Sequence, residues 1–248
     1  MSSKYTRLDR LISRHLGINR KHVRLMLAKK RVSVDGEVAD NIDALVGPFN
    51  VIVIDNHVLQ EQRPVYIMLH KPLGFVSANM DEKHPTVLDL IEQPHPVSLH
   101  IVGRLDLNST GLLLLTNDGK WSKALLSPQN KITKCYTVDL KNELTHQYIQ
   151  AFAEGMYFSF ENIMTQPVIL TITGKKQAQV LLKEGRYHQI KRMFGRFRNP
   201  VESLHRSAVG NLHLPEELKP GEYRQLTAVE LADLNSLITR AEKNSDNK

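Results

Sequence analysis

Residues 103–119 constrain the fold more than any other part of the chain. Residues 112–115 are four consecutive leucines, enough for one buried strand, and an Asn-Asp-Gly turn at residues 117–119 ends the run. Arg104 and Asp106 come just before this strand and, two residues apart in an extended segment, face the same way. A charged pair beside an apolar layer costs free energy unless it is paired or has a function. The stretch therefore predicts a surface ion pair or a functional carboxylate, and alone it favours neither.

The composition is typical of a globular protein without a membrane partner. Of the 248 residues, 41% are hydrophobic and 24% are charged, and no apolar run reaches membrane-spanning length. The first residues lack an apolar signal core, and Cys135 is the single cysteine, so no internal disulfide can form. We therefore expect a protein of the cytoplasm.

Several chemistries lack their sequence patterns. The 11 histidines include no His-Glu-x-x-His pattern and no Cys/His cluster, so we expect no metal site. No glycine-rich loop ends in Gly-Lys-Ser/Thr, which argues against nucleotide hydrolysis. Cys135 falls in a predicted strand, and we expect a small buried residue there and not a nucleophile.

The positive charge is concentrated at the N-terminus. The net charge is +7, yet residues 1–34 alone carry +9, with ten Lys/Arg against Asp9, so the remainder carries −2. This asymmetry favours an N-terminal module that binds a polyanion and is joined to a near-neutral body. A solvated basic face is the alternative interpretation.

The N-terminal residues predict two short helices followed by a small sheet. The first helix ends at Gly17 and the second begins after Asn19 as its N-cap. A hairpin over residues 32–38 turns at an Asp-Gly pair, and residues 51–54 form a further strand. The expected inward residues are Leu8, Leu11, Ile12, Leu16, Val23, Met26 and Leu27.

This segment resembles the S4 RNA-binding domain. The matching residues are Arg7-Leu8-Asp9, Leu16-Gly17, Arg20 and Val32-Ser33-Val34-Asp35-Gly36. The resemblance implies that the helix pair lays its basic face on structured RNA, where shape and phosphate contacts dominate. The candidate RNA-binding residues are Arg7, Arg20, Lys21 and Arg24. We assign residues 1–58 to this domain and residues 59–63 to a linker.

Residues 64–240 predict an α+β body, because strands and helices alternate without a strict βαβ order. We expect a mixed, mostly antiparallel sheet flanked by helices, followed by a polar tail at residues 241–248. The expected strands are 65–69, 75–76, 112–115, 136–140, 168–172 and 178–182. The expected helices are 87–92, one around Trp121, 145–152 and one from about 186 to 197.

A second basic cluster covers residues 183–206. Tyr187, Ile190 and Phe194 recur at helical spacing and are expected to face inward, while Arg186 and Lys191 could reach a cleft near His188. Basic and aromatic residues in one segment suit nucleic-acid binding. The alternative is a basic helix surface over a buried aromatic stripe, which composition alone slightly favours.

Four segments together resemble the pseudouridine synthases of the RsuA/RluB group. They are the stretch Gly103 to Gly119, Lys71-Pro72-Leu73-Gly74-Phe75-Val76, Lys134-Cys135-Tyr136, and Glu184 to Phe194, in the order that the family uses. With the S4-like front, the resemblance covers nearly the whole chain. It implies isomerisation of uridine in RNA, a reaction that needs no cofactor.

The resemblance also implies residue roles. Asp106 would be the catalytic carboxylate, Lys191 its cationic partner, and Tyr136 the ring that packs on the base and assists proton transfer. Leu204 would lie beneath the base, and Arg104 would support the extruded nucleotide. Arg186 and His188 are further candidate substrate contacts.

The target is less closely defined. Gly185-Arg186-Tyr187-His188-Gln189 together with Leu204-His205-Arg206 is most similar to the group members that act on 16S rRNA. We expect a monomer acting on that RNA or on a partly assembled small subunit. The alternatives are a synthase acting on 23S rRNA, a non-catalytic RNA-binding assembly factor, and a glycosidase with an aspartate nucleophile.

Overall fold

The computed structural model describes residues 5–92 and 98–246, and side chains are described up to residue 240. The chain forms two units whose main division falls between Val65 and Tyr66, and residues 118–120 are grouped with the first unit. Each unit has its own hydrophobic core.

The N-terminal unit begins with a pair of helices, α1 (Leu8–Leu16) and α2 (Arg20–Ala28). Helix α1 ends at Gly17, whose φ of +66° suits a residue without Cβ. Asn19 caps α2 by accepting a hydrogen bond from the His22 amide at 3.0 Å. The end of α1 and the start of α2 were both predicted. Leu16 was expected to face inward, but it is 43% exposed and does not join the core.

The N-terminal strands are β1 (Thr6–Arg7), β2 (Val32–Val34), β3 (Glu37–Val38), β4 (Leu45–Val46), β5 (Ile52–Ile54) and β6 (His57–Gln60). Strands β3-β2-β5-β6 form one sheet, and β1 pairs with β4. The hairpin β2–β3 turns at Asp35 and Gly36, both with positive φ. Residues 59 and 60 of the predicted linker 59–63 belong to strand β6 instead. The Gln60 side chain donates to the carbonyls of Gly47 and Asn50 and so fixes the end of this strand to the rest of the unit.

The body is built on a sheet of nine strands, in the order β13-β14-β10-β15-β9-β7-β17, with β16 paired to β15 and β8 to β9. Only β9 and β15 pair in parallel among the strands of this described sheet. This confirms the predicted mixed, mostly antiparallel sheet. The nine strands are β7 (Tyr66–Lys71), β8 (His100–Val102), β9 (Thr110–Thr116), β10 (Lys134–Leu140), β13 (Ile169–Gly174), β14 (Gln177–Leu182), β15 (Val201–Val209), β16 (Leu212–His213) and β17 (Tyr223–Gln225). Strands β11 (Tyr157–Phe158) and β12 (Ile163–Met164) pair with each other in a separate two-stranded sheet.

Four helices accompany this sheet in the described part of the body: α3 (Gly119–Leu126), α4 (His146–Glu154), α5 (Gln189–Gly195) and α6 (Ala228–Asp246). Leu112 and Leu114 of β9 form a buried cluster with Trp121 of α3 and Leu234 of α6. Helices α4 and α5 meet through the rings of Phe152 and Phe194, whose centroids lie 4.8 Å apart.

Several predicted elements differ from the structure. Residues 75–76 form no strand, since Val76 makes only an isolated bridge to Thr86, and the predicted helix 87–92 is a short 3₁₀ helix, Val87–Leu90. The basic helix is shorter than predicted because His188, with φ +48°, stops helical geometry before Gln189. Residues 241–246 of the predicted tail continue α6, and residues 247 and 248 lie outside the described part.

Candidate active site

A cleft of about 850 Å³ lies in the body, between the loop before β9, strands β10 and β15, and residues 183–191. It brings together residues that are far apart in the chain. The predicted site residues that line it are Arg104, Asp106, Tyr136, Arg186, His188, Lys191 and Leu204.

Asp106 lies between two nitrogen donors. The Lys191 ammonium is 3.2 Å from one carboxylate oxygen, and Nε2 of His188 is 3.4 Å from the other. Both partners belong to the segment around α5, which places them opposite the loop that carries Asp106. The Lys191 ammonium therefore lies beside a carboxylate, a group that can act as a nucleophile or as a base.

The loop that carries Asp106 is anchored to the buried Lys71. Its ammonium donates to the carbonyls of Ser109 at 2.7 Å, Pro72 at 3.0 Å and Leu107 at 3.4 Å. Burial lowers the pKa of Lys71 to about 8, while the negative charge of Asp106 opposes that shift. Lys71 was assigned no role of its own from the sequence, because the expected strand 65–69 stopped short of it, whereas β7 extends through Lys71.

The other side of the same loop is fixed by Ser77. Its hydroxyl donates to the Leu105 carbonyl at 2.8 Å, and its oxygen accepts from the Leu105 amide at 3.1 Å. Backbone on both sides of Asp106 is therefore held by buried side chains, which restricts the position of its carboxylate.

Gly111 allows the loop to lie directly beside β15. Its φ is +111°, and a Cβ there would lie 2.2 Å from the backbone oxygen of Arg206. Gly111 and Arg206 are register partners in the parallel pair β9–β15. Strand β15 also carries Leu204 and pairs with Tyr136 of β10. The close approach of β9 to β15 therefore places the loop before β9 beside the two strands that carry these residues.

Residues 184–189 form the opposite wall. Glu184 accepts hydrogen bonds from Arg186 at 2.9 Å and from the Gln189 amide group at 2.6 Å, so Arg186 is held by a carboxylate at the rim. Tyr187 was expected to face inward, and this is wrong: it precedes α5, is 74% exposed and stacks on His188 with ring centroids 3.9 Å apart.

Comparison with known proteins identifies the family. Residues 65–195 match the sequence model of the family described as RNA pseudouridylate synthase. The chain is 43% identical over 229 residues to ribosomal small subunit pseudouridine synthase A of Pseudomonas aeruginosa, covering 92% of this chain and 100% of that protein. The chain belongs to the RNA pseudouridylate synthase family. The synthase is also 39% identical over 229 residues to the protein of the same name from Escherichia coli K12, covering 92% and 99%.

A solved structure gives the same result in three dimensions. The synthase superimposes on a crystal structure of a pseudouridylate synthase with a TM-score of 0.67 and 35% identity, covering 92% of this chain and 99% of the other. This confirms the family resemblance and the enzyme class that the sequence predicted. The S4 resemblance of the N-terminal unit stays a prediction.

The synthase has exposed cations on α2 of its N-terminal unit, at Arg20, Lys21 and Arg24. Arg7 is different. It donates two hydrogen bonds to the fully buried Asp9 and pairs with Asp43. The hydrogen bond from Arg7 lowers the pKa of Asp9, so the guanidinium neutralises a buried carboxylate of its own unit.

Two further observations apply to the described residues. Within residues 5–92 and 98–246, no group of three or more His, Cys, Asp or Glu is arranged to hold a metal ion. No helix in that part of the synthase is both long and apolar enough to cross a membrane.

Proposed function

We propose that this synthase converts a uridine of small-subunit ribosomal RNA to pseudouridine, with Asp106 as its catalytic carboxylate. The observation that carries the proposal is the position of Asp106 in the cleft, with Lys191 and His188 on its two oxygens. The relatives that are 39–43% identical over nearly their whole length bear the name of a small-subunit synthase, which supports this RNA as the substrate.

The reaction breaks the N1–C1′ bond, turns the free base and forms the C5–C1′ bond. No atom is added and no oxidation state changes overall, so a carboxylate, a base-binding pocket and a proton acceptor for C5 suffice. Asp106 acts by attack on C1′, by attack on C6 or by removal of a ribose proton, and the three routes use the same carboxylate position.

The remaining cleft residues hold the base and the opened RNA. Tyr136 and Leu204, both nearly buried, form an apolar seat for the uracil ring, and the phenol assists the proton transfer from C5. The exposed Arg104 fills the space that the extruded uridine leaves in its stack. Arg186 and His188 contact the substrate from the opposite rim.

The N-terminal unit binds the RNA outside the cleft as an S4-like domain. Arg20, Lys21 and Arg24 contact phosphates from the exposed face of α2. Arg7 stabilises the unit through Asp9 and Asp43 and contributes less to RNA affinity. We also propose that the synthase works in the cytoplasm as a monomer.

The experiment is release of tritium from 5-tritiated uridine in 16S and 23S rRNA fragments. The synthase releases tritium from 16S RNA, and the modified position is then mapped by chemical probing. Asp106→Asn abolishes release while the dissociation constant for RNA stays within about threefold. Asp233→Asn, an exposed residue of α6, is the control and keeps full activity.

Each alternative has its own outcome. Preferential release from 23S rRNA would move the target to the large subunit. Release of free uracil with an abasic site in the RNA would indicate a glycosidase. RNA binding with no released tritium from any fragment would indicate a non-catalytic factor, and pseudouridine formed by Asp106→Asn would overturn the role of that carboxylate.

A further inference from the structure

The cleft contains more positive than negative charge. Its lining includes two carboxylates, Asp106 and Glu184, and both are engaged by basic or amide groups of the 184–191 segment. Among the residues that the structure describes, the other lining cations have no carboxylate within ion-pair distance. These cations are Arg104, Lys134, Lys183 and Arg206.

Arg206 is the most buried of these cations. Its residue is 5% exposed, and its backbone is fixed between Tyr136 of β10 and Gly111 of β9. The side chain donates from Nε to the Leu112 carbonyl at 2.7 Å. A guanidinium has five N–H groups, so four remain without an acceptor in the described part of the protein. The terminal nitrogens are not among the fully buried atoms that lack a partner in the described residues, so these N–H groups open on the cleft, where a ligand can supply their acceptors.

Lys134 lies next to Arg206 in the same cleft. It is the first residue of β10, two positions before Tyr136 and therefore on the same face of the strand. Burial and the charge of Arg206 together lower the pKa of Lys134 to about 8. Two cations that repel each other at a partly desolvated site create a strong preference for an anion between them.

We propose that Lys134 and Arg206 form a phosphate subsite that binds a backbone phosphate of the RNA next to the target uridine. The inference rests on the proposed function, because RNA supplies the phosphate. Lys134 lies about 7 Å from Tyr136 along the strand. The phosphate that it reaches therefore belongs to the nucleotide seated on Tyr136 or to an immediate neighbour.

The subsite gives the cleft a direction. Lys191 and His188 approach Asp106 from the α5 side, whereas Lys134 and Arg206 stand on β10 and β15. A phosphate held by the second pair fixes the ribose between these two sides. The pair therefore positions the RNA strand and takes no part in bond breaking.

The experiment uses the full chain and short RNA substrates in which one phosphate at a time is replaced by an uncharged methylphosphonate. For the wild-type synthase, replacement at one position beside the target raises KM by about tenfold or more, because a charge-assisted contact is lost. Lys134→Gln raises KM for the unmodified RNA by a similar factor and no longer responds to that replacement. In both cases kcat changes less than about threefold.

Lys141→Gln is the matched control, since Lys141 is exposed, follows the same strand and lies outside the cleft lining. It keeps the wild-type response at every phosphate. If each methylphosphonate raises KM for Lys134→Gln by the same factor as for the wild type, the subsite is wrong. Arg206→Gln is measured in parallel, with its thermal unfolding recorded, and the proposal stands on Lys134 if that variant does not fold.

A second readout separates this inference from the proposed function. Dissociation constants for the same RNAs are measured with Asp106→Asn and with Asp106→Asn/Lys134→Gln, so no turnover is needed. Coupling between Lys134 and one phosphate, seen as a methylphosphonate penalty in Asp106→Asn that the double variant lacks, supports the subsite even if no RNA is modified. Wild-type turnover without any such coupling supports the function and overturns the subsite.

Discussion

At the scale of single residues, Lys71 fixes the loop that carries Asp106 from outside the cleft lining. Its ammonium donates hydrogen bonds to the carbonyls of Leu107 and Ser109, which follow Asp106 in the loop. Lys71→Met keeps the volume but leaves these carbonyls unsatisfied, so we expect the free energy of unfolding to fall by about 2–4 kcal/mol. Urea denaturation measures this change, and kcat falls more than about tenfold at temperatures where the variant is folded.

Lys176→Met is the control for that experiment. Lys176 is exposed in the turn between β13 and β14, so its replacement leaves both stability and kcat unchanged. A Lys71→Met variant as stable and active as the wild type would show that the loop is held by other contacts.

The sequence predicted the residues with distinctive local patterns. Asp106, Tyr136 and Lys191 were singled out, and the structure brings all three to one cleft. The contacts of Lys71 and Arg7 were not predicted from the sequence. Lys71 binds backbone carbonyls, which leave no trace in sequence. Arg7 pairs with Asp9, two positions away, but the burial of Asp9 depends on the packing of the whole unit.

At the scale of elements, the parallel pair β9–β15 depends on Gly111. A methyl group at this position would meet the Arg206 backbone at 2.2 Å and would require φ of +111° in an alanine. We expect Gly111→Ala to lower the free energy of unfolding by about 3 kcal/mol or more, because neither strand backbone can move without breaking its other pairings. Chemical denaturation checks the value.

Gly174→Ala is the matched control in the same sheet. An added Cβ at Gly174 has its nearest neighbour at 3.6 Å, an ordinary contact, so the change in stability stays within about 0.5 kcal/mol. Equal destabilisation by the two substitutions would contradict the packing argument.

Helix α6 is fixed at its start by a charged cap. Glu230 accepts from the Thr227 amide at 2.8 Å and from two nitrogens of Arg224 on β17, and these contacts lower its pKa to about 2. A carboxylate with a depressed pKa contributes stability above its unfolded pKa of about 4.5, and this contribution is lost as the pH falls towards 2. Glu230→Gln therefore costs about 1 kcal/mol at pH 7 and progressively less below pH 4.5.

Thermal unfolding of the wild type and of Glu230→Gln between about pH 7 and pH 3 tests this dependence. A stability difference that stays constant across the range would mean that the substitution removes only packing or hydrogen bonds and that the charge of the carboxylate contributes nothing.

Element prediction succeeded where pattern and termination agreed. Each of three elements has a local boundary signal: Gly17 ends helix α1, Asn19 begins helix α2, and a turn follows strand β9. Strand β15 was missed because Glu202 and Arg206 interrupt its alternation, and its partner β9 lies about 95 positions earlier. Pairing over that distance depends on Gly111 and on the whole sheet, which no local window contains.

At the scale of the whole molecule, the charge is divided according to task. Residues 1–34 carry +9, and the remaining residues carry −2 in sum. Among those remaining residues, the ones that line the cleft include more cations than carboxylates. We therefore propose that long-range attraction for RNA resides in the N-terminal unit and that the body adds local contacts at the target nucleotide.

This division predicts separable effects on affinity and chemistry. Replacing Arg20, Lys21 and Arg24 together by Gln removes three exposed cations from α2. Each phosphate contact contributes about 0.7–0.9 to the slope of log affinity against log salt, so the slope becomes shallower by about 2–3. Because the cleft is untouched, kcat at saturating RNA stays within about twofold.

The matched control replaces Lys141, Lys175 and Lys176, three exposed lysines of the body outside the cleft lining, and so removes the same charge. RNA binding is measured by fluorescence anisotropy from about 50 to 300 mM salt. If the two triple variants change the slope equally, the attraction follows from net charge alone. A change confined to the α2 variant means that this helix contacts the phosphates, and the N-terminal unit is then the site where the RNA is first held.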